Sequence, residues 1–222
     1  MKMKMKIMDL THVISGNISV FPGSMLPKIE NVSTVQRDGF NESLLTILSH
    51  IGTHADAPKH IYSQGKSLDE FSIDSFVGKA FVVDTRSMDP KEDIKIEDIN
   101  MERFKQADFI LFYNGLDKKF GKKEFLTDYP VPSKELIDLI NSHNKKGIGF
   151  DAIGLDRLEN ENLDLHKRLF KNNNIINIEN LKNLDKIIHE IKDGLFTFIV
   201  LPLKFKNSDG APVRAIGIIE ED

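Results

Sequence analysis

The 222-residue sequence predicts a single domain that mixes strands and helices, in the α/β or α+β class. Three observations predict it. Apolar runs of strand length recur, such as Ala80-Phe81-Val82-Val83 and Phe109-Ile110-Leu111-Phe112. Other segments carry apolar residues at helical spacing, such as Leu136, Leu139 and Ile140. The two periods follow one another without strict alternation and without an internal repeat.

Composition supports a core and narrows the partners. At 40% hydrophobic residues the chain can bury a real core, and 30 basic against 34 acidic residues, a net charge of −4, point away from nucleic acid. No stretch approaches the ~20 apolar residues of a membrane span, so no membrane partner is expected. The chain has no Cys, which excludes a disulfide framework, and the cytoplasm is the default compartment. The opening Met/Lys alternation is basic like the start of a signal peptide. Asp9 follows Ile7-Met8 at once, however, so no apolar core develops and a frayed start is expected.

In chain order, residues 8–14 read as a short strand ended by the turn Ser15-Gly16-Asn17. His12, beside apolar neighbours, reads as satisfied locally or solvated rather than as a ligand. Phe21-Pro22-Gly23-Ser24 is a turn signal that holds Phe21 against the core in preference to a ligand. Residues 29–36 and 42–51 predict two strands joined by Arg37-Asp38-Gly39. The second has apolar residues on both faces, which predicts a central strand and a stiff base for His50.

Residues 50–60 carry the chemistry. His50, His54, Asp56 and His60 fall at even spacings, so an extended segment would point all four the same way. Three imidazoles and a carboxylate with no competing thiol are a donor set for a borderline metal such as zinc. Gly52 and Pro58 argue against a helix there.

Beyond it, residues 79–84 predict a buried strand, and the charged stretch 89–102 a solvated face ending in a short helix. Residues 107–113 form another apolar run, 118–123 a surface loop, and Pro130-Val131-Pro132-Ser133 leads into an amphipathic helix ending near His143. Residues 147–151 predict a strand and 160–171 a helix, with His166 on its apolar stripe; periodicity alone favours a hydrogen-bonded core histidine. The strand 175–179 ends in Glu179, which must be paired, coordinated or exposed. His189 reads as a surface residue of a charged helix over 186–193, and residues 196–205 and 212–218 form a closing hairpin around Asn207-Ser208-Asp209-Gly210.

The pattern His-x-Gly-Thr-His-x-Asp-x-Pro-x-His at residues 50–60 resembles the signature of the metal-dependent cyclase family, which includes bacterial kynurenine formamidase (arylformamidase) and isatin hydrolase. The resemblance runs on through Asp9-Leu10-Thr11, Phe21-Pro22-Gly23, Gly149-Phe150-Asp151, Leu165-His166, Ile178-Glu179-Asn180-Leu181 and Gly210-Ala211-Pro212-Val213-Arg214-Ala215. It implies a swivelling β/β/α fold with a mixed sheet, assembled as a homodimer or homotetramer. It also implies that His50, His54 and Asp56 bind a first metal, and that Asp56 bridges to a second held by His166 and Glu179. Two zinc ions are the implied cofactor, with a single manganese at the first three ligands as the variant. His60 becomes the proton-transfer residue, and Phe21, where formamidases carry Trp, lies against the substrate. The implied reaction is hydrolysis of a small-molecule aryl formamide, N-formylkynurenine to kynurenine plus formate. The alternatives are hydrolysis of a cyclic amide and a non-catalytic metal-binding protein on the same fold.

Overall fold

A computed structural model describes residues 4–191 and 194–221. Strand β1 (Lys4–Asp9) begins where a frayed start was expected; Met1 to Met3 lie outside the described residues, as does the end of the helix expected over 186–193. The strand also stops at Asp9 rather than Ile14, and only a bridge from Thr11 to Leu181 continues it.

Strands β2 (Lys28–Ser33) and β3 (Glu42–Thr46) pair antiparallel as a separate ribbon, with the one-turn helix α1 (Val35–Asp38) between them. This corrects the expectation of a central strand. Every residue of β3 is exposed, Leu44 and Leu45 each at 51%. Apolar residues on both faces do signal two covered faces, but no described residue of the chain covers them. Since β3 ends at Thr46, His50 hangs from a bend rather than from a strand end.

The rest of the chain builds one eight-stranded sheet and a short parallel pair. In order come β4 (His54–Asp56), β5 (Val77–Asp84), β6 (Asp93–Ile94), α2 (Met101–Gln106), β7 (Phe109–Tyr113) and β8 (Val131–Pro132). They are followed by α3 (Lys134–Ser142), β9 (Gly147–Phe150), α4 (Asp164–Leu169), β10 (Ile176–Glu179), α5 (Leu184–Ile191), β11 (Phe196–Pro202) and β12 (Gly210–Glu221). The short pair is β6 with β8. Eight strands run in the order β1-β12-β11-β5-β7-β9-β10-β4, and β12 also pairs with β4. The sheet therefore closes on itself. The β5-β7-β9-β10 stretch is parallel and the remaining pairings are antiparallel, which makes it the mixed sheet of an α/β fold. Parallel neighbours need crossovers, and α2, α3 and α4 supply them.

Side chains alternate across this sheet as the two-residue period demands. Phe109, Leu111 and Tyr113 pack inward with Ala80, Ile178 and Phe198, while Ile110 and Phe112 pack outward with Leu136 and Ile140 of α3. Helix α3 starts where expected because the Ser133 hydroxyl accepts the Leu136 N–H. Helix α4 is shorter than expected: Leu163 adopts a left-handed φ of 53°, and the helix starts only after that turn. The closing hairpin forms as β11 against β12, and His189 is a surface residue, its side chain 87% exposed.

Candidate metal centre

The site follows from strand register. Strand β4 lies between β10 and β12, with His54 opposite Glu179 and Asp56 opposite Asn177. Residues directly opposite share a face, as do residues two apart, so these four side chains converge. His54, Asp56 and Glu179 are 3%, 1% and 6% exposed.

The even spacing of the four sequence-predicted residues works out differently from a single extended run. Only residues 54–56 are strand; Gly52 turns the chain with a φ of +59°, and His60 ends the 3-10 turn Pro58–His60. All four nonetheless line one cavity of about 350 Å³, together with Phe21, His166 and Glu179. His50 fits because residue 210 is glycine: a Cβ there would lie 2.4 Å from His50 Cε1.

Within the cavity, His50 Nδ1 is 2.7 Å from Asp56 Oδ1, and His54 Nε2 is 3.2 Å from Asp56 Oδ1 and 3.4 Å from Glu179 Oε2. His166 Nε2 is 3.2 Å from Glu179 Oε1 and 3.7 Å from Asp56 Oδ2. Two groups able to hold a metal ion result, His50/His54/Asp56 and Asp56/His166/Glu179, and they share Asp56. A third, His50/His60/Asp209, lies nearer solvent.

Each of the three inner histidines has its other ring nitrogen tied to an acceptor. His50 Nε2 meets Asp209 Oδ2 at 3.1 Å, His54 Nδ1 meets the Gly52 carbonyl at 2.9 Å, and His166 Nδ1 meets Asp156 Oδ2 at 2.7 Å. Such outer acceptors fix the tautomer and leave the inner nitrogen free for a cation. His60 differs: its side chain is 30% exposed, and Nδ1 is 4.0 Å from Asp209, beyond hydrogen-bond reach.

The electrostatics match a cation site. Burial lowers the pKa of His50, but Asp56 and Asp209 outweigh it and push it up to about 10. Burial likewise opposes the charge on His54 and His166, and the surrounding carboxylates again raise both. Asp56 resists the upward pull of its burial and is held well below the carboxylate range by His54 and His50. The carboxylates thus draw positive charge onto this cluster, and nitrogen with oxygen donors suits zinc or manganese alike. His60 moves the other way, lowered by burial first and by its histidine neighbours.

Several expectations change here. Phe21 is 49% exposed at the cavity rim, not in the core, because Gly23 (φ +86°) and the Ser24 N–H to Phe21 carbonyl bond turn it outward. His166 is buried, as its apolar stripe suggested, yet it faces carboxylates rather than a hydrocarbon core. His12 joins none of the three groups; its ring stacks on Phe120 at 3.9 Å, Nε2 has no partner, and burial lowers its pKa to about 4. Sequence reasoning missed Asp156, Asp209 and Asn177. Asp209 sat in plain view inside a turn motif, whereas nothing in the spacing of Asp156 pointed to His166.

A wider cleft of about 770 Å³ beside β1 and α5 is lined by surface chains such as Lys6 paired with Glu190. None of the three metal-capable groups found among the described residues lies in it.

A closed mixed sheet carrying convergent imidazoles and carboxylates at the base of a cavity defines an α/β protein with side chains able to hold a metal ion and room for a small molecule. The chain belongs to the Cyclase family, whose model matches residues 8–157. It is 30% identical over 217 residues to a kynurenine formamidase of Salinibacter ruber, covering 96% of this chain and 97% of the relative. A kynurenine formamidase of Bacillus cytotoxicus is 28% identical over 209 residues, covering 94% and 95%. Among solved structures, an isatin hydrolase bound to the product analogue thioisatinate superposes with a TM-score of 0.84 at 22% identity, covering 98% of this chain and 93% of that one.

Proposed function

We propose that this chain is a metal-dependent hydrolase that cleaves the C–N bond of an aryl formamide or related amide, with N-formylkynurenine the best-supported substrate. One observation carries the reading. Three imidazoles are locked by outer acceptors so that their inner nitrogens converge on two carboxylates, while a fourth, His60, stands unlocked at the cavity. The full-length similarity to kynurenine formamidases supports the substrate class; tryptophan catabolism in the cytoplasm is the setting proposed for it.

His50, His54 and Asp56 would hold a first ion, and Asp56, His166 and Glu179 a second, as zinc or, with a single ion, manganese. A divalent cation supplies Lewis acidity, which lowers the pKa of water to about 7 and polarises a carbonyl oxygen. The chain's own residues do the rest. Phe21, Val20, Leu48, Ile153 and Leu163 line the cavity and present an apolar wall to an aromatic ring. Water adds to the formyl carbon, and His60 takes its proton at a ring nitrogen. His60 then returns the proton to the amine nitrogen as the C–N bond breaks, releasing amine and formate. Burial of His60 keeps it neutral and ready to accept at pH 7.

The chain is further proposed to form one domain and to assemble as a homodimer or homotetramer. The ribbon β2–β3 supports assembly: Ile29, Leu44 and Leu45 are about half exposed, and Phe40 between the strands is 54% exposed.

The test is hydrolysis of N-formylkynurenine, isatin and simple cyclic amides by chelator-stripped protein reloaded with zinc or manganese. Turnover of the formamide only when metal is restored is expected. Preference for isatin would move the reading to a cyclic-amide hydrolase, and tight metal binding with no turnover would sink catalysis.

A further inference from the structure

The β4–β10 register places one more side chain against the carboxylates. Asn177 is wholly buried, at 0% exposure. Its amide nitrogen donates to Asp56 Oδ2 at 2.9 Å and to Glu179 Oε1 at 2.8 Å. An ionised carboxylate only accepts, so the nitrogen end must face this pair. The other end of the amide, Oδ1, is buried without a partner. A buried oxygen left unpaired is a cost that an apolar side chain would avoid, so what this position contributes lies in its two N–H bonds.

Those bonds are not distributed evenly over the centre. The two oxygens they hold are the ones beside His166, whose Nε2 is 3.7 Å from Asp56 Oδ2 and 3.2 Å from Glu179 Oε1. The oxygens beside His54, Asp56 Oδ1 at 3.2 Å and Glu179 Oε2 at 3.4 Å, receive nothing from Asn177. The Leu155 N–H adds a second donor on Glu179 Oε1 at 3.0 Å, so that carboxylate is pinned at one oxygen and free at the other. Two buried carboxylates facing one another repel, and a shared donor holds them at a fixed separation and orientation.

Resting on the metal-centre reading above, we propose that Asn177 is a positioning residue that fixes Asp56 and Glu179 for a cation on the His166 side, and so sets the affinity for the second ion rather than the first. Without it the two carboxylates lose the donor they share: Glu179 Oε1 keeps only the Leu155 N–H as a donor beside His166, whereas the oxygens facing His54, Asp56 Oδ1 and Glu179 Oε2, keep the partners they had.

The experiment titrates zinc into chelator-stripped wild type, Asn177→Ala and Asn177→Ser by calorimetry, and records the cobalt absorption spectrum at one and two equivalents. Circular dichroism and melting of the metal-free proteins check that each variant folds. Wild type is expected to bind two ions. Asn177→Ala should hold the first within about threefold and lose about 10- to 100-fold on the second, the range for removing an outer partner of a metal ligand. The cobalt spectrum should change mainly at the second equivalent. Asn177→Ser, which keeps a single donor, should fall between and carries the test if the alanine variant does not fold. A second ion bound as tightly as in wild type, or tighter, overturns the proposal, as does equal weakening of both ions or a wild type that takes only one. A wild type that binds no zinc overturns the metal-centre reading itself.

Discussion

Replacing Gly210 with alanine isolates the placement of His50. Gly210 does not occupy the left-handed region, so its backbone accepts alanine, and the effect arises from the added methyl alone. That carbon would lie 2.4 Å from His50 Cε1 and 2.7 Å from both ring nitrogens. Carbon atoms rest at about 3.5 Å, so the ring must retreat by about 1 Å. It is held at both ends, by Asp56 at 2.7 Å and Asp209 at 3.1 Å, and a retreat of that size breaks one bond or both. A misplacement of about 1 Å costs about 10²-fold in turnover, and loss of an outer ligand partner about 10- to 100-fold in metal affinity. Overpacking itself costs about 1–3 kcal/mol, about 2–12 °C in melting temperature for a chain of this size, so the variant should remain folded. Zinc calorimetry, formamide turnover and a melt of the metal-free variant measure the three effects. Unchanged affinity and turnover in a folded Gly210→Ala protein would refute the reasoning.

Other outcomes follow from the same geometry. His60→Ala should keep its metal, by elemental analysis, yet lose at least about 10²-fold in kcat, as for other general acid-base groups; metal loss would instead make His60 a ligand. Because burial lowers the pKa of His60, its neutral form is lost only as pH falls below 6.5, so the acid limb of kcat/KM should lie below pH 6.5 and disappear in His60→Ala. Asp156→Asn removes the carboxylate that orients His166 and should weaken zinc binding by about 10- to 100-fold in a chelator competition. A Leu44→Glu, Leu45→Glu double variant, both positions being exposed, should leave circular dichroism unchanged and give monomers by light scattering; an unaltered oligomer would remove the ribbon from the interface.

Much of this fold was legible because the two periodicities are strong. The parallel strands around Phe81, Ile110 and Ile148 are short, apolar and bounded by breakers, and the Ser133 cap announced α3. The ribbon misled because a sequence reports that a face is apolar, not which molecule covers it: Leu44 and Leu45 look like core and are exposed. At the site, residues 50–60 stood out because four candidate donors crowd eleven positions. Glu179 was conspicuous as an acid closing an apolar strand. His166 by contrast needed the family resemblance, since its spacing fits a core histidine equally well. Asn177 and Asp156 stayed hidden because their partners are set by pairing across β4–β10 and by a turn, neither of which leaves a local pattern.

The seam where the sheet closes has a consequence for how the protein comes together. Strand β4 touches β10 and β12, so Asp56 meets Asn177 and Gly210 across 121 and 154 positions of chain. Contacts of such long range form late and slowly. The same pairings bring His54 to Glu179 and His50 to Asp209. A chain with β4 undocked from β10 therefore has no assembled centre, and a cation that binds only the closed form stabilises closure by RT ln(1 + [L]/Kd). On the proposed metal centre, metal supply and folding yield become one equilibrium, and metal limitation should appear as open, protease-sensitive chains as well as idle enzyme.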